Sequence, residues 1–414
     1  MRVLFDPNLE ASLRAIGRAA DDAGARAWVV GGVVRDALIG APITDIDVTI
    51  AGDAEGVVRR LGVEWNAEFE QHDAFSTATL TAPGTPRVDV VRARRETYAH
   101  PGALPDVVPA GIAEDLERRD FSVNAMAADL RADCFGEMLD PMNGKGDLER
   151  HTLRILHAGS FADDPTRLFR AGRYAVRLGL EPDAATDEAA ALAVRDGALG
   201  TISADRRRRE VELMLGEPRW ADAIAWLNRW GVWEGIAPCW MPCAPMLRRA
   251  DVVRAWALRS VGEGTSEAAD LRWLVLLAAT MTPVAEVMAV KPAELRLVHS
   301  VWKAIESLSD VDGPAWWRQM DDMPMIALLA ATALCGSDSE KARLTGYIAS
   351  VRNKRLTITG DDLLAHGARP GPALGLALSL TLDGLRTGRL NGAEAELKYA
   401  MNAWRENAGA GGQS

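Results

Sequence analysis

No apolar run in this 414-residue chain approaches the roughly 20 residues that a membrane-crossing helix needs. The opening Met1-Arg2-Val3-Leu4-Phe5-Asp6 carries no apolar stretch followed by a small-residue cleavage site. Both absences point to a soluble cytoplasmic protein with no membrane partner. Cysteine is scarce. Cys134, Cys239, Cys243 and Cys335 show no repeated metal-ligand spacing, which excludes a zinc module of the usual pattern, and four buried free thiols are expected. Cys239 and Cys243 flank Trp240-Met241-Pro242 and could meet on one helical turn. The disorder signature is missing as well: apolar residues make up 48% of the chain and charged residues 25%, enough for a large core in two to four domains. No internal repeat of fixed period is visible.

Positive charge is in deficit. The formal net charge is −11, which argues against a polyanionic partner unless the cations gather on one face. They do gather: Arg92, Arg94 and Arg95; Arg118 and Arg119; Arg167, Arg170, Arg173 and Arg177; Arg206 to Arg209. Acidic residues are spread more evenly. The pattern predicts a basic cleft in an acidic body.

Strand and helix signals alternate over the first 150 residues. Residues 27–30 form a short apolar strand that runs into Gly31-Gly32, and 33–39 read as a helix ended by Gly40-Ala41-Pro42. Asp45-Ile46-Asp47-Val48-Thr49-Ile50 alternates at period two, as a half-buried strand does. Residues 77–80 and 87–91 are two further strands, and the Pro- and Gly-rich interval 97–111 is expected to be a loop. Beyond about Leu153 helical periodicity takes over. Gly197–Gly200 and residues 262–265 are candidate breaks between helical parts, 357–359 is a brief β-branched run, and the small, polar tail 408–414 is expected to fray. Thirteen tryptophans, many of them between 220 and 320, are expected as core anchors rather than stacking platforms. The fold class is therefore α+β, a small mixed head followed by a long helical body.

Three segments carry chemistry. In Gly31-Gly32-Val33-Val34-Arg35-Asp36, two glycines between a strand and a helix allow either a tight turn or a close backbone approach to phosphate at a helix start. Thirteen residues on, Asp45 and Asp47 occupy positions i and i+2 of a strand and project from the same face. Two like charges so placed are costly unless they share a cation, and hard oxygen ligands beside a phosphate turn suit Mg²⁺. Such a pair serves in-line nucleotidyl transfer, and Asp89 on a later strand could supply a third carboxylate. Arg118-Arg119-Asp120-Phe121-Ser122-Val123-Asn124 offers two guanidinium forks for triphosphate or ribose, or else a charged helix start capped by Asp120.

The most informative stretch is Asp163-Asp164-Pro165-Thr166-Arg167, continuing through Arg170, Arg173, Tyr174 and Arg177. Asp164 followed by Pro165 is a helix start, and at 100° per residue the four arginines fall on one side of that helix. Unrelieved, they repel one another; phosphates or bases in front of them remove the conflict. Asp164 and Arg167 together present an acceptor and a fork of donors, the complement of a base's Watson–Crick edge.

Taken in order, Gly-Gly-x-x-Arg-Asp with Asp-x-Asp, then Arg-Arg-Asp-Phe-Ser-Val-Asn-Ala, then Asp-Asp-Pro-Thr-Arg-Leu-x-Arg-x-x-Arg-Tyr resemble class II tRNA nucleotidyltransferases and bacterial poly(A) polymerases. Asp140-Pro141 through Gly146-Asp147-Leu148 resembles that family's link between head and neck. Ser203-Ala204-Asp205-Arg206 with Glu210 resembles its neck motif, with Asp205 in place of the usual Glu. Ile358-Thr359-Gly360-Asp361-Asp362 with Gly371-Pro372 and Gly375 is similar to a tail motif. The likeness is dense over 25–215, clear over 355–400 and weak over 220–350.

The resemblance implies a β-polymerase-like head over residues 1–150, a neck over 151–220 that recognises the base, a body over 221–350 and a tRNA-binding tail over 351–414. It implies metal binding by Asp45 and Asp47, triphosphate contacts from Gly31, Gly32 and Arg35, and a ribose-side role for Arg118 with Arg119, Asp120 and Asn124 beside it. Asp164 and Arg167 would serve as an amino-acid template for cytosine and adenine, with Arg170 and Arg173 lining the nucleotide pocket. The implied partners are the tRNA 3′ end, CTP and ATP, with Mg²⁺ as cofactor and no obligate protein partner. Many relatives carry an HD phosphohydrolase domain; the only His-Asp pair here, His72-Asp73, precedes a head strand, and no such hydrolase is expected.

Full CCA addition is the preferred reading, with an A-adding or CC-adding specialist as alternative. Members that switch from C to A need a mobile loop before the Arg-Arg-Asp segment. Here that interval holds Pro101, Pro105 and Pro109, which restrict rearrangement, together with Gly102 and Gly111. Against a specialist, Asp164 and Arg167 pair equally well with C or A. Poly(A) polymerases of this type tend to need basic extensions, which an acidic chain with a non-basic tail lacks. A catalytically dead RNA-binding scaffold would have lost Asp45 or Asp47, and both are present.

Overall fold

The computed structural model describes residues 1–72, 77–238, 240–261, 268–280, 287–309 and 312–410. Asp73, Cys239, the expected break at 262–265 and the tail residues 411–414 lie outside the described residues. The chain divides into two compact units: Met1–Met241 with Val287–Ala289, and Pro242–Glu286 with Val290–Ser414. The head and the first helices beyond it thus share one unit, and the division between units falls at Met241.

In the first unit, helix α1 (Pro7–Asp22) starts where the Asp6 carboxylate accepts from the Asn8 backbone N–H at 2.9 Å, with Pro7 in the first turn. Strand β1 (Arg26–Val30) leads into α2 (Gly32–Ile39), which Gly40 ends in the left-handed conformation. Next come β2 (Asp45–Ala51), α3 (Ala54–Glu64), β3 (Glu68–His72), β4 (Thr77–Thr81) and β5 (Arg87–Arg92). After β6 (Arg94–Thr97), β7 (Asp106–Pro109) and α4 (Ile112–Glu117), the head ends with β8 (Ala127–Asp129), β9 (Met138–Leu139) and α5 (Gly144–Glu149). The main sheet has seven strands in the order β3-β4-β5-β2-β1-β8-β9. Within that sheet, among the described residues, β2 and β5 are the pair that runs parallel, with Asp47 level with Asp89.

Period-two burial sets the site. Along β2, Ile46, Val48 and Ile50 are fully buried against Leu13 and Ile16 of α1 and Val57 and Leu61 of α3. Asp45 and Asp47 therefore face the other way, into solvent. Truncating Ile46 to Ala costs about 2–5 kcal/mol through lost burial and the cavity left behind.

The interval expected to be a loop contains a two-stranded ribbon: β6 pairs antiparallel with β7, Arg94 opposite Pro109 and Thr97 opposite Asp106. Pro109 is tolerated at the end of β7 because both ribbon strands are edges, and Pro101 and Pro105 lie between the strands. Beyond it the helices dominate, as the periodicity predicts: α6 (Ser160–Asp163), α7 (Thr166–Leu178), α8 (Ala184–Arg195), α9 (Ala204–Gly216) and α10 (Trp220–Leu227). Ser203 caps α9, its hydroxyl accepting from the Arg206 N–H at 3.3 Å.

The second unit is helical throughout its described residues. Residues 357–359 form no strand there. Instead the buried Glu396 accepts from the Thr357 N–H at 2.7 Å and its hydroxyl at 2.8 Å, and Thr359 caps helix Gly360–Ala365. Trp220, Trp230, Trp233, Trp240, Trp273, Trp316 and Trp317 are buried core anchors. Cys134 and Cys335 are buried as expected, whereas Cys243 is exposed at the start of helix Ala244–Val261. No helix among the described residues is long and apolar enough to cross a membrane.

Candidate active site

A cleft of about 580 Å³ opens in the first unit, lined by the Gly31 turn, Asp45, Asp47, the Arg118–Asn124 segment and the start of α7. A bound nucleotide fits the usual range for such cavities. Arg35, Arg94, Arg118, Arg119, Arg167, Arg170, Arg177 and Arg206 line it, against Asp36, Asp45, Asp47, Glu96, Asp120 and Asp164. Eight cations against six carboxylates make this a basic cleft in a chain of net charge −11, suited to a polyphosphate.

Gly31 holds φ +64° and ψ −121°, and a Cβ there would lie 2.8 Å from Arg119 Nη1. Only glycine fits this turn without strain. Its N–H donates to Met126 O at 2.9 Å, which fixes β1 beside β8.

Asp45 and Asp47 share the cleft face of β2. Solvent reaches Asp47, yet crowding by surrounding protein raises its pKa, and Asp89 and Asp45 add to the rise, while Arg119 and Arg87 oppose it. A divalent cation there would reverse that balance. Among the described residues no group of three or more His, Cys, Asp or Glu is gathered as a metal cage. Two open carboxylates are nevertheless the donor set of an ion that also takes substrate phosphates. Asp89 lies level with Asp47, but its carboxylate accepts from Thr79 Oγ1 at 2.6 Å and pairs with Arg87 at 3.1 Å, and it is not among the cleft-lining residues.

The arginines are not equivalent. Arg35 is buried; it forks onto Asp36 at 2.8 and 2.9 Å and donates to Asn124 Oδ1 at 2.6 Å. Arg118 is held by Asp115 Oδ1 at 2.8 and 3.0 Å and by Glu96 at 3.1 Å. Asp115, fully buried, also takes Arg119 Nη2 at 3.1 Å. Arg119 Nε is buried without a hydrogen-bond partner, and its Nη1 reaches only Asn124 O at 3.5 Å, beside Gly31. Beside Asp47, Arg119 thus keeps one weakly held group, Nη1.

Asp120 links head and helices. Its Oδ1 accepts from Phe121 N and Asn124 Nδ2, and its Oδ2 from Arg170 Nε and Nη2 at 2.8 and 2.6 Å. Burial pushes the Asp120 carboxyl up, but Arg170, the Asn124 hydrogen bond and Arg167 outweigh it and hold the pKa below the usual carboxylate value. Tyr174 gathers Arg35, Arg170 and Arg177, each with its guanidinium 5.4–5.7 Å from the ring centre.

The four arginines of α7 do lie near one another, but acids from other elements offset their repulsion. Arg170 meets Asp120; Arg173 meets Glu210 at 3.3 Å and Glu217 at 3.1 Å; Arg177 also meets Glu217. Arg173, expected in the pocket, is not among the lining residues. Arg167 is buried, donating to Ser160 Oγ at 2.7 Å and Arg118 O at 2.8 Å. Asp164 accepts from Thr166 Oγ1 at 2.7 Å and Arg206 Nη2 at 2.7 Å, and with Arg167 it lines the cleft.

Sequence reasoning passed over Tyr98 and Tyr174 as lining residues, and gave Arg177 and Arg206 no role of their own. The arginine clusters and the Ser203–Glu210 motif contained a signal for the last two. Tyr98 sat in an interval read as loop. The ribbon is also docked: Gly102 N donates to Ala162 O at 3.1 Å, its O accepts from Arg206 Nη1 at 3.0 Å, and a Cβ would lie 2.0 Å from Thr201 Oγ1.

Residues 27–154 match the poly A polymerase head domain family. The chain is 36% identical to the CC-adding tRNA nucleotidyltransferase of Deinococcus radiodurans, the match covering 91% of this chain and 88% of that one. It is 32% identical to the A-adding tRNA nucleotidyltransferase of Geobacter sulfurreducens over 93% of this chain, but spans only 45% of that longer protein. Among solved structures, an apo form of a CCA-adding enzyme superposes with a TM-score of 0.78 at 26% identity, covering 96% of each chain.

Proposed function

Because the chain belongs to the tRNA nucleotidyltransferase family, we propose that it adds nucleotides to the 3′ end of tRNA without a nucleic-acid template, using CTP and ATP and releasing pyrophosphate. One observation carries this reading: the Asp45–Asp47 pair and the Asp164–Arg167 pair line the same basic cleft. The first suits nucleotidyl transfer, and the second suits reading of a base edge. Asp45 and Asp47 would hold divalent cations, Mg²⁺ by the hardness of the ligands. When bound, these supply activation of the attacking 3′ hydroxyl and neutralisation of the leaving pyrophosphate. The Gly31 turn admits the triphosphate, Arg119 donates to it through Nη1, whose own contact is the long 3.5 Å bond to Asn124 O, and Arg35, Asn124, Asp120 and Arg170 form the wall that keeps these groups in register.

The full CCA sequence is the primary reading, since Asp164 and Arg167 present donors and an acceptor to either base. The docked Gly102 supports a second reading, a specialist that adds only A or only CC, because a pinned ribbon rearranges less between bases. A tRNA transcript lacking all three terminal nucleotides, given CTP and then ATP, tests both. Extension by two C and one A is expected. Extension by C alone, or by A only on a transcript already ending in CC, replaces it with the specialist reading. No extension of any transcript overturns the proposal.

A further inference from the structure

Tyr98, the residue after β6, has no role in the proposed function, yet it lines the cleft alongside Asp164 and Arg167. Its phenol donates to Glu96 Oε2 at 2.9 Å. Glu96 is itself fixed, its Oε1 accepting from Arg94 Nε at 2.9 Å and Arg118 Nη1 at 3.1 Å. Arg118 closes the circuit, because its backbone O accepts from Arg167 Nη2 at 2.8 Å. An aromatic ring and a base-reading arginine therefore share one anchor, although 69 positions separate them in sequence. The ribbon that carries the ring is held at its far end by the two backbone hydrogen bonds of Gly102.

We propose that Tyr98 is the platform on which the incoming base rests while Asp164 and Arg167 address its edge. The inference rests on the nucleotidyltransferase reading and deepens it. An edge reader fixes hydrogen bonds in the plane of a base but leaves the base free to tilt out of that plane; a ring against its face removes the tilt. Stacking tolerates any base, since each has a π-face, so one platform serves cytosine and adenine alike and leaves discrimination to the edge. The Glu96 bond keeps the ring from swinging away with the base, which fits a tyrosine there better than a phenylalanine.

The test measures KM and kcat for whichever of CTP and ATP the wild-type protein adds, on tRNA transcripts ending before and within CC. Tyr98→Leu is expected to raise the nucleotide KM about tenfold, the scale of one lost base–aromatic stack, with a smaller change in kcat and a melting loss similar to that of Tyr98→Phe, since both leave Glu96 Oε2 without the phenol. Tyr98→Phe restores most of that KM, because the ring returns without its anchor. An unchanged KM in Tyr98→Leu, or a Phe variant as impaired as Leu, overturns the proposal. A second measurement needs no destabilising change. The chain has four tyrosines, so with 3-fluorotyrosine incorporated, the Tyr98 ¹⁹F resonance, assigned through Tyr98→Phe, is expected to shift on adding CTP or ATP without RNA. A resonance that stays put while either nucleotide binds overturns the platform. Wild-type protein that extends no transcript strikes the tRNA reading instead, and the ¹⁹F arm still judges Tyr98.

Discussion

Asp120 and Arg170, fifty positions apart, are joined by two hydrogen bonds of 2.8 and 2.6 Å from Nε and Nη2, on one edge of the guanidinium, to one carboxylate oxygen. The pair ties the Arg-Arg-Asp segment of the head to helix α7. Through Asn124 and Arg35 the same network reaches α2, so the two walls of the cleft are held by one chain of hydrogen bonds.

Removing the Asp120 charge should therefore loosen both walls. Asp120→Asn is expected to cost about 2–3 kcal/mol, below the usual figure for breaking a buried pair because the Arg170 side chain stays 35% exposed. The folded-state pKa of Asp120 is depressed, so its contribution is complete above the unfolded value of about 4 and is lost as pH falls through the folded one. Thermal melts of wild type and variant should differ most above about pH 5 and converge on acidification below about pH 4. A gap that widens toward acid would refute the assignment.

Asp47 behaves in the opposite sense. Its pKa is raised in the fold, so ionisation above the unfolded value costs stability until a cation offsets it. Asp47→Asn should melt at or above the wild-type temperature in metal-free buffer at neutral pH, while Mg²⁺ raises the melting temperature of wild type only. Nucleotide addition should fall by about a thousandfold or more, because the cation supplies several kcal/mol of charge stabilisation. Near-normal incorporation by Asp47→Asn would remove the metal assignment.

Gly31→Ala places a methyl 2.8 Å from Arg119 Nη1 at φ +64°. The expected cost is about 1–2 kcal/mol of stability, with a higher KM for the triphosphate as Arg119 is displaced. Gly32→Ala meets nothing closer than 3.5 Å and should melt like wild type. Equal melting losses in the two variants would show that the Gly31 turn is not the constraint.

Arg206 bonds both Asp164 at 2.7 Å and the ribbon carbonyl of Gly102 at 3.0 Å. Arg206→Ala frees both, so discrimination of CTP and ATP against UTP and GTP should fall about tenfold or more, as when a base-edge hydrogen bond is lost. Competition assays with paired nucleotides measure this directly. Unaltered selectivity would limit Arg206 to a structural role.

What the sequence determined by itself was whatever depends on neighbours along the chain. Asp45 and Asp47 share a face because a strand repeats every two residues, and the intervening Ile46 had to be buried. The Asp164–Pro165 helix start and the common side of Arg167, Arg170, Arg173 and Arg177 followed from backbone geometry in the same way. Which charges are already spent was settled by contacts between segments distant in the chain. Asp120, Glu210 and Glu217 reach the α7 arginines across 37 to 50 positions, Thr79 and Arg87 occupy Asp89, and Asp115 and Glu96 hold Arg118 firmly while Arg119 Nη1 keeps only a 3.5 Å contact. The pairing of β6 with β7 belongs to the same class, because ladder partners between strands carry no local period of their own. Periodicity is a property of local backbone geometry. The choice of an ion-pair partner is a competition among all the groups that folding brings within reach, and that competition is settled only when the chain is compact.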